Sequence, residues 1–152
     1  MTTKGIELIK SFEGLCLKAY KCPAGVWTIG YGHTQGVKEG DMITEKDAEL
    51  MLRRDLCNFE INVRAAVIPN LNDYQIDALT SFAYNVGLSA YRKSTLLRII
   101  NKGNATEEEI RKQFSRWVYG SVKQLPGLVR RRHAEADLYF TPFVPENPQL
   151  KY

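Results

Sequence analysis

Three side chains in one short run of the sequence are of types that do acid–base or nucleophilic chemistry: Glu13, Cys22 and Thr28. Eight residues separate the first two and five the last two. They lie in FEGLCLKAYKCPAGVWTIGYGHTQG, residues 12–36, a stretch crowded with glycine and aromatic residues. A carboxyl group partly desolvated by a neighbour such as Phe12 holds its proton to higher pH and can give it to a leaving oxygen near neutrality. Facing it, Cys22 and Thr28 can hold or activate a water. One acid set against one base, with room for substrate between, is the arrangement that hydrolyses glycosides. As residue types alone the three are equally open to ordinary roles: a solvated glutamate at a helix end, an inert turn cysteine and a packing threonine.

Such a site needs elements to carry it. Ile6, Ile9 and Phe12 follow Thr2-Thr3 at helical spacing, so a short amphipathic helix should end near Gly14 and leave Glu13 at its last turn. Cys22-Pro23-Ala24-Gly25 suits a type I turn, with Pro second and Gly fourth. Val26-Trp27-Thr28-Ile29 reads as the strand after it. Alternation along that strand sends Trp27 and Ile29 inward and Thr28 towards a cleft.

The rest of the chain reads as helix. Thr44 with Asp47 should cap a long helix whose inner face is Ala48, Leu52, Leu56, Phe59 and Val63. Asn72 with Gln75 caps another, lined by Ile76, Leu79, Phe82, Ala83 and Val86 and stopped by Gly87. Further helices are expected from about Ser94 to Lys102, after Thr106 with Ile110, Phe114 and Trp117 facing inward, and from Pro126-Gly127 to about Phe140. The tail TPFVPENPQLKY should run extended over the surface. The expected architecture is mainly helical α+β: one domain over residues 1–152, with a hairpin lobe at about 14–55 and a helical lobe made of 1–13 and 56–152. A cleft between two lobes is a common binding site.

Bulk properties narrow the classes. The chain has 152 residues, enough for one domain with a sizeable core. No apolar run approaches the ~20 residues that cross a bilayer. Charges at Lys4, Glu7 and Lys10 make the start unlike a secretory signal or an anchor, so no stable membrane insertion is expected. A net charge of +4 favours polyanions: nucleic acid, anionic membrane or an acidic cell wall. Cys16, Cys22 and Cys57 have no zinc spacing and no CxxC, so reduced thiols and no metal are expected.

The spacing Glu13-x8-Cys22-x5-Thr28 resembles the Glu-x8-Asp/Cys-x5-Thr signature of phage-type lysozymes, the endolysins of glycoside hydrolase family twenty-four. The segment FEGLCLKAYKCPAGVWTIGYGHT, then SFAYNVG, KSTLLRIIN and FSRWVYG…PGLVRRRHAE, resemble blocks of that family in the same order, over about residues 6–140. The resemblance implies a two-lobed lysozyme fold and hydrolysis of the β-1,4 link between N-acetylmuramic acid and N-acetylglucosamine in peptidoglycan, by a monomer that needs no cofactor. It implies Glu13 as general acid, Thr28 as a water-seating residue, and Cys22 where some members carry Asp. A thiol in that place acts as a base if its pKa is lowered and otherwise as a polar positioner; it is also oxidisable. The resemblance further implies a structural ion pair between His33 and Asp55 and sugar contacts at Thr34, Tyr84 and Thr95. It implies storage in the host cytoplasm until a holin opens the inner membrane.

Three other readings share these residues. A lytic transglycosylase would cut the same bond with a sugar hydroxyl in place of water, and a non-catalytic peptidoglycan-binding module would need no acid. A nucleic-acid binder would use the basic charge, yet no helix-turn-helix or aromatic RNA-binding strand is evident. The run Arg130-Arg131-Arg132-His133 should fan around a helix, mostly solvated or paired with acidic neighbours, with one arginine able to approach Glu13.

Overall fold

Thr2 starts the first helix, α1 (Thr3–Glu13), by accepting a hydrogen bond from the Gly5 amide on its hydroxyl. Gly14, at φ +70°, ends it and returns its amide to the Lys10 carbonyl. Glu13 is therefore the last helical residue. The computed structural model describes residues 1–120 and 123–147.

β1 (Cys16–Lys21) and β2 (Trp27–Gly30) form an antiparallel hairpin with Tyr20 opposite Thr28 and Lys21 opposite Trp27. The expected turn joins them: the Gly25 amide donates to the Cys22 carbonyl at 2.8 Å. Ile29 is buried at 1% exposure, but Trp27 is half-buried, its ring under the Lys21 ammonium at 5.4 Å. Single bridges from Ile29 to His33 and from Lys18 to Met42 extend the hairpin.

Helices follow where the caps place them. α2 (Glu45–Ala66) and α3 (Asp73–Val86) begin with the Thr44–Asp47 and Asn72–Gln75 capping boxes. α3 is buried almost all round, as suits a helix at the centre of a bundle. α4 (Leu88–Lys93) was not foreseen; six residues between Gly87 and Ser94 are too few to show a periodicity. α5 (Thr95–Lys102), α6 (Glu107–Ser115) and α7 (Pro126–Phe140) complete the fold, with a third capping box at Thr106–Glu109 and proline opening α7. Trp117 lies beyond the end of α6 and still packs edge-on against Phe82, at 5.4 Å between ring centres. The chain is thus mainly helical, with one two-stranded sheet among the described residues.

Apolar burial falls into two clusters. The larger joins Val63 of α2 to Leu79, Phe82, Leu96, Phe114 and Leu138. The smaller holds Ile6, Ile9, Tyr31, Ala48, Leu52 and Leu56. α1, which the expected boundaries put with the helical lobe, thus turns Ile6 and Ile9 into the smaller cluster, while also packing on α3 and α7. Its start is pinned to α3 by Asp77, which accepts from the Thr2 amide at 3.2 Å and from the Thr2 hydroxyl. A Cβ on Gly5 would overlap that carboxylate. α2 runs through both clusters.

From Thr141 to Asn147 the chain has no regular structure and lies over α3: Phe143 packs edge-on against Tyr74 at 5.1 Å. The remainder of the tail, residues 148–152, is outside the described residues. Among the described residues no helix is long and apolar enough to cross a membrane.

Candidate active site

Glu13 stands where α1 hands over to the hairpin, and it meets the last helix there. Its Oε1 receives a 2.6 Å hydrogen bond from Nη1 of Arg131, 118 residues away on α7. Its other oxygen lies against Gly32, just past β2. At φ +90° Gly32 adopts a backbone that side chains disfavour, and a Cβ there would sit 3.1 Å from Glu13 Oε2 and 3.4 Å from the Tyr84 hydroxyl. Glycine is what lets this backbone approach the carboxylate.

Behind Arg131 runs a buried chain of charges. Its Nε faces Glu135 at 3.4 Å and its Nη2 donates to the Ser81 carbonyl at 3.2 Å. Glu135 in turn receives the Ser81 hydroxyl and lies 2.9 Å from Nε of Arg132, whose Nη2 donates to Asn85 at 2.7 Å. Arg131 is 3% exposed, Arg132 1% and Glu135 0%. The basic run is therefore paired with acidic neighbours and one arginine does reach Glu13, but Arg131 and Arg132 are interior, not solvated. Arg132 also lies over the Phe82 ring, 5.1 Å from its centre. Complete burial pushes the Glu135 carboxyl up, against the pull of Arg132 and Arg131. The signal for this was present in RRRHAE, since Arg131 and Arg132 sit four and three residues before Glu135 on a helix. What hid it is that an arginine run reads as surface until α3 covers it.

A groove of about 420 Å³ opens beside Glu13, lined among others by Phe12, Asn85, Leu125, Arg130 and Arg131. A larger cavity of about 510 Å³ lies between α6 and α7 and shares no lining residue with it. The smaller one holds the carboxylate and its guanidinium, and neither Cys22 nor Thr28 lines it.

The hairpin supplies the other polar groups. Cys22 is half-buried at the turn, its amide bonded to the Val26 carbonyl at 3.0 Å. The Val26 backbone above all holds the Cys22 thiol below its ordinary range, against desolvation that pushes it up, with smaller pulls downward from the Ala24 backbone and the Thr28 side chain. Thr28 is thus brought near Cys22, but it does not face an open cleft: it is 4% exposed and its one hydroxyl proton goes to the Val26 carbonyl at 3.0 Å. Plain alternation along a strand does not report this burial. Tyr20, opposite Thr28, is within electrostatic reach of both Glu13 and Cys22.

The other candidates separate. His33 Nδ1 is 2.7 Å from Asp55 Oδ2, and its Nε2 meets the Gln35 carbonyl at 2.9 Å, so both ring nitrogens are occupied. Tyr84 is half-buried; its hydroxyl donates to the Tyr31 carbonyl at 2.7 Å and its ring packs edge-on against Phe59. That ties α3 to the end of the hairpin. Burial pushes the phenol strongly upward, and Glu13 and Asp55 add to it. Thr34 is exposed on the loop after the hairpin. Thr95 opens α5, which packs on α4 and α6, and it does not line the groove beside Glu13. Among the described residues no group of three His, Cys, Asp or Glu is placed to hold a metal.

The structure thus sets a carboxylate clamped by a guanidinium at the end of α1, with a thiol and a hydroxyl close to each other on the hairpin that follows. Residues 10–135 match the family described as phage lysozyme. The chain is 41% identical over 143 residues to an endolysin of Acyrthosiphon pisum secondary endosymbiont phage 1, covering 91% of this chain and 97% of that one. It is 46% identical over 138 residues to an endolysin of Bacillus phage PZA, 89% of this chain but 53% of that protein, so it spans about half the Bacillus phage relative. The muramidase domain of SpmX from Asticaccaulis excentricus has a TM-score of 0.86 at 39% identity, over 93% of this chain and 97% of that one. The endolysin of Escherichia coli O157:H7 phage FAHEc1 has a TM-score of 0.82 at 37% identity, over 95% and 96%. The chain belongs to the phage lysozyme family and is a glycoside hydrolase of the endolysin, or muramidase, type.

Proposed function

We propose that the chain hydrolyses the β-1,4 bond between N-acetylmuramic acid and N-acetylglucosamine of peptidoglycan, with Glu13 as proton donor and Cys22 and Thr28 on the attacking water. The observation that carries this is the carboxylate of Glu13 held at the groove by Arg131 through one oxygen, which leaves Oε2, on the Gly32 side, to carry the proton. Glu13 gives that proton to the glycosidic oxygen as the bond from the anomeric carbon breaks. A water oxygen bonds to the same carbon, and its proton goes to the Cys22 sulfur, whose thiolate form is favoured by the hydrogen bonds at the turn. Exchange with solvent then returns Glu13 to its acid form and Cys22 to its thiolate. Thr28 acts by holding Cys22 in place, and Thr34, exposed beyond the hairpin, contacts the glycan.

In this reading the protein works as a monomer, as one domain of two lobes with the glycan strand between them. It waits in the host cytoplasm until a holin opens the inner membrane, then acts on the wall. The test is digestion of purified peptidoglycan with mass analysis of the fragments. The native chain should yield reducing N-acetylmuramic acid ends, and Glu13→Gln should lose the activity by about 10²–10⁴-fold with its fold intact. Cutting retained by Glu13→Gln overturns the assignment of the acid. Products lighter by one water would instead mean that a sugar hydroxyl, not water, attacks.

A further inference from the structure

We infer that Glu135, which touches no substrate, is a positioning residue for the reaction: through Arg131 it sets how tightly Glu13 is held and how readily Glu13 keeps its proton. The inference deepens the reading above and rests on Glu13 being the acid.

The groups alternate in sign along one line: Glu13, Arg131, Glu135, Arg132. Arg131 divides itself between the two carboxylates, with Nη1 at 2.6 Å from Glu13 and Nε at 3.4 Å from Glu135. Its remaining nitrogen is fixed by Ser81 on α3. Glu135 therefore does two things to Arg131. It withholds part of the guanidinium's charge from Glu13, and it fixes the plane in which Nη1 points at Oε1. Arg132 balances Glu135 from the other side at 2.9 Å, so the four charges sum to zero when Glu13 is ionised.

Stability alone gives little reason for the arrangement. A buried ion pair is commonly no more stabilising than well-packed apolar residues of the same volume. Here the interior charges also bond imperfectly: Nε and Nη1 of Arg132 and Oε1 of Glu135 make no aligned hydrogen bond among the described residues. A fully buried, imperfectly bonded carboxylate one guanidinium away from the catalytic acid fits a role in tuning that acid. Around Glu13 itself the facing ionisable groups are Arg131 and Arg132 from α7, Tyr84 from α3 and Tyr20 from β1. Around Glu135 they are Arg131 and Arg132, while from α6 Arg111 pairs with Asp137, and Glu108 and Lys112 line the cavity beside Arg132.

Removing the Glu135 charge leaves Glu13 facing an unshared guanidinium, which favours the ionised form and disfavours the proton-bearing one. The experiment is titration of the Glu13 carboxyl by ¹³C NMR of the full chain labelled at its glutamate carboxyls, with Glu13→Gln identifying the signal. In Glu135→Gln the Glu13 midpoint should move to lower pH by about one unit, and kcat on peptidoglycan should fall about tenfold with KM unchanged. In Glu135→Asp, which keeps the charge, the midpoint should stay near its native value. Arg132→Gln, which frees Glu135 to compete harder for Arg131, should move the midpoint upward and serves equally if Glu135→Gln does not fold. A Glu13 midpoint unmoved in both charge-removing variants overturns the inference, even if both lower the melting temperature. If the midpoint moves as expected but Glu13→Gln still cuts peptidoglycan, the inference about charge stands and the assignment of the acid fails.

Discussion

In the proposed mechanism, Cys22 is the residue on which the chemistry turns most sharply. A thiol that gives up its proton more readily, as the backbone at this turn favours, presents a thiolate that can take a proton from water; a serine hydroxyl in its place cannot at neutral pH. Cys22→Ser should therefore lower kcat by about 10²-fold, while Cys22→Asp, already ionised at neutral pH, should retain more activity than the serine variant. Peroxide should inhibit the native enzyme reversibly, with recovery on adding thiol, and leave Cys22→Asp unaffected. Turbidity loss of wall suspensions measures all three, and a serine variant of native activity would remove the sulfur from the mechanism. The spacing from Glu13 to Cys22 and Thr28 was legible because it lies within one hairpin and the turn before it. Arg131 was legible only as one of several arginines, since the contact that singles it out spans 118 residues. The burial of Glu135 was not legible at all, because it depends on α3 and α7 closing over it.

At the scale of the element, the caps carried most of the fold. The pairs Thr44–Asp47, Asn72–Gln75 and Thr106–Glu109 each close within four residues, so the sequence displays both halves of every box. α4 has no such box, and Thr28 is buried through contacts that residue types do not announce. The docking of α1 gives a pH-dependent prediction. Burial pushes the Asp77 carboxyl from 3.8 up to about 6, although its bonds from Thr2 pull the other way. Between those values the folded chain holds a proton that the unfolded chain has released. The contribution of Asp77 to stability is therefore full below the lower value and is lost as pH rises through the upper one. Native stability in denaturant titrations should carry a downward component from about pH 4 to 6, and Asp77→Asn should remove that component. A slope unchanged in Asp77→Asn would place the titration elsewhere.

At the scale of the whole molecule, two apolar clusters share one long helix. Leu56 of α2 belongs to the smaller and Phe59 packs on the larger, with Cys57 and Asn58 exposed between them. The side chain of Cys57 belongs to neither core, so Cys57→Gly isolates the helix backbone at the crossing. It should cost about 0.3–0.5 kcal/mol in stability, measured by chemical denaturation. It should lower cutting of peptidoglycan by more than that cost implies, because α2 packs on both β2 and α3, which flank the proposed site. Activity reduced no further than the loss of folded protein would mean that the lobes are aligned by other contacts.

The length of α2 has a mechanical consequence. Its 22 residues make a rod about 33 Å long. A rod that joins both apolar clusters carries strain from one to the other, so a change that loosens its buried face at Leu52, Leu56 or Val63 should be felt at both ends of the molecule.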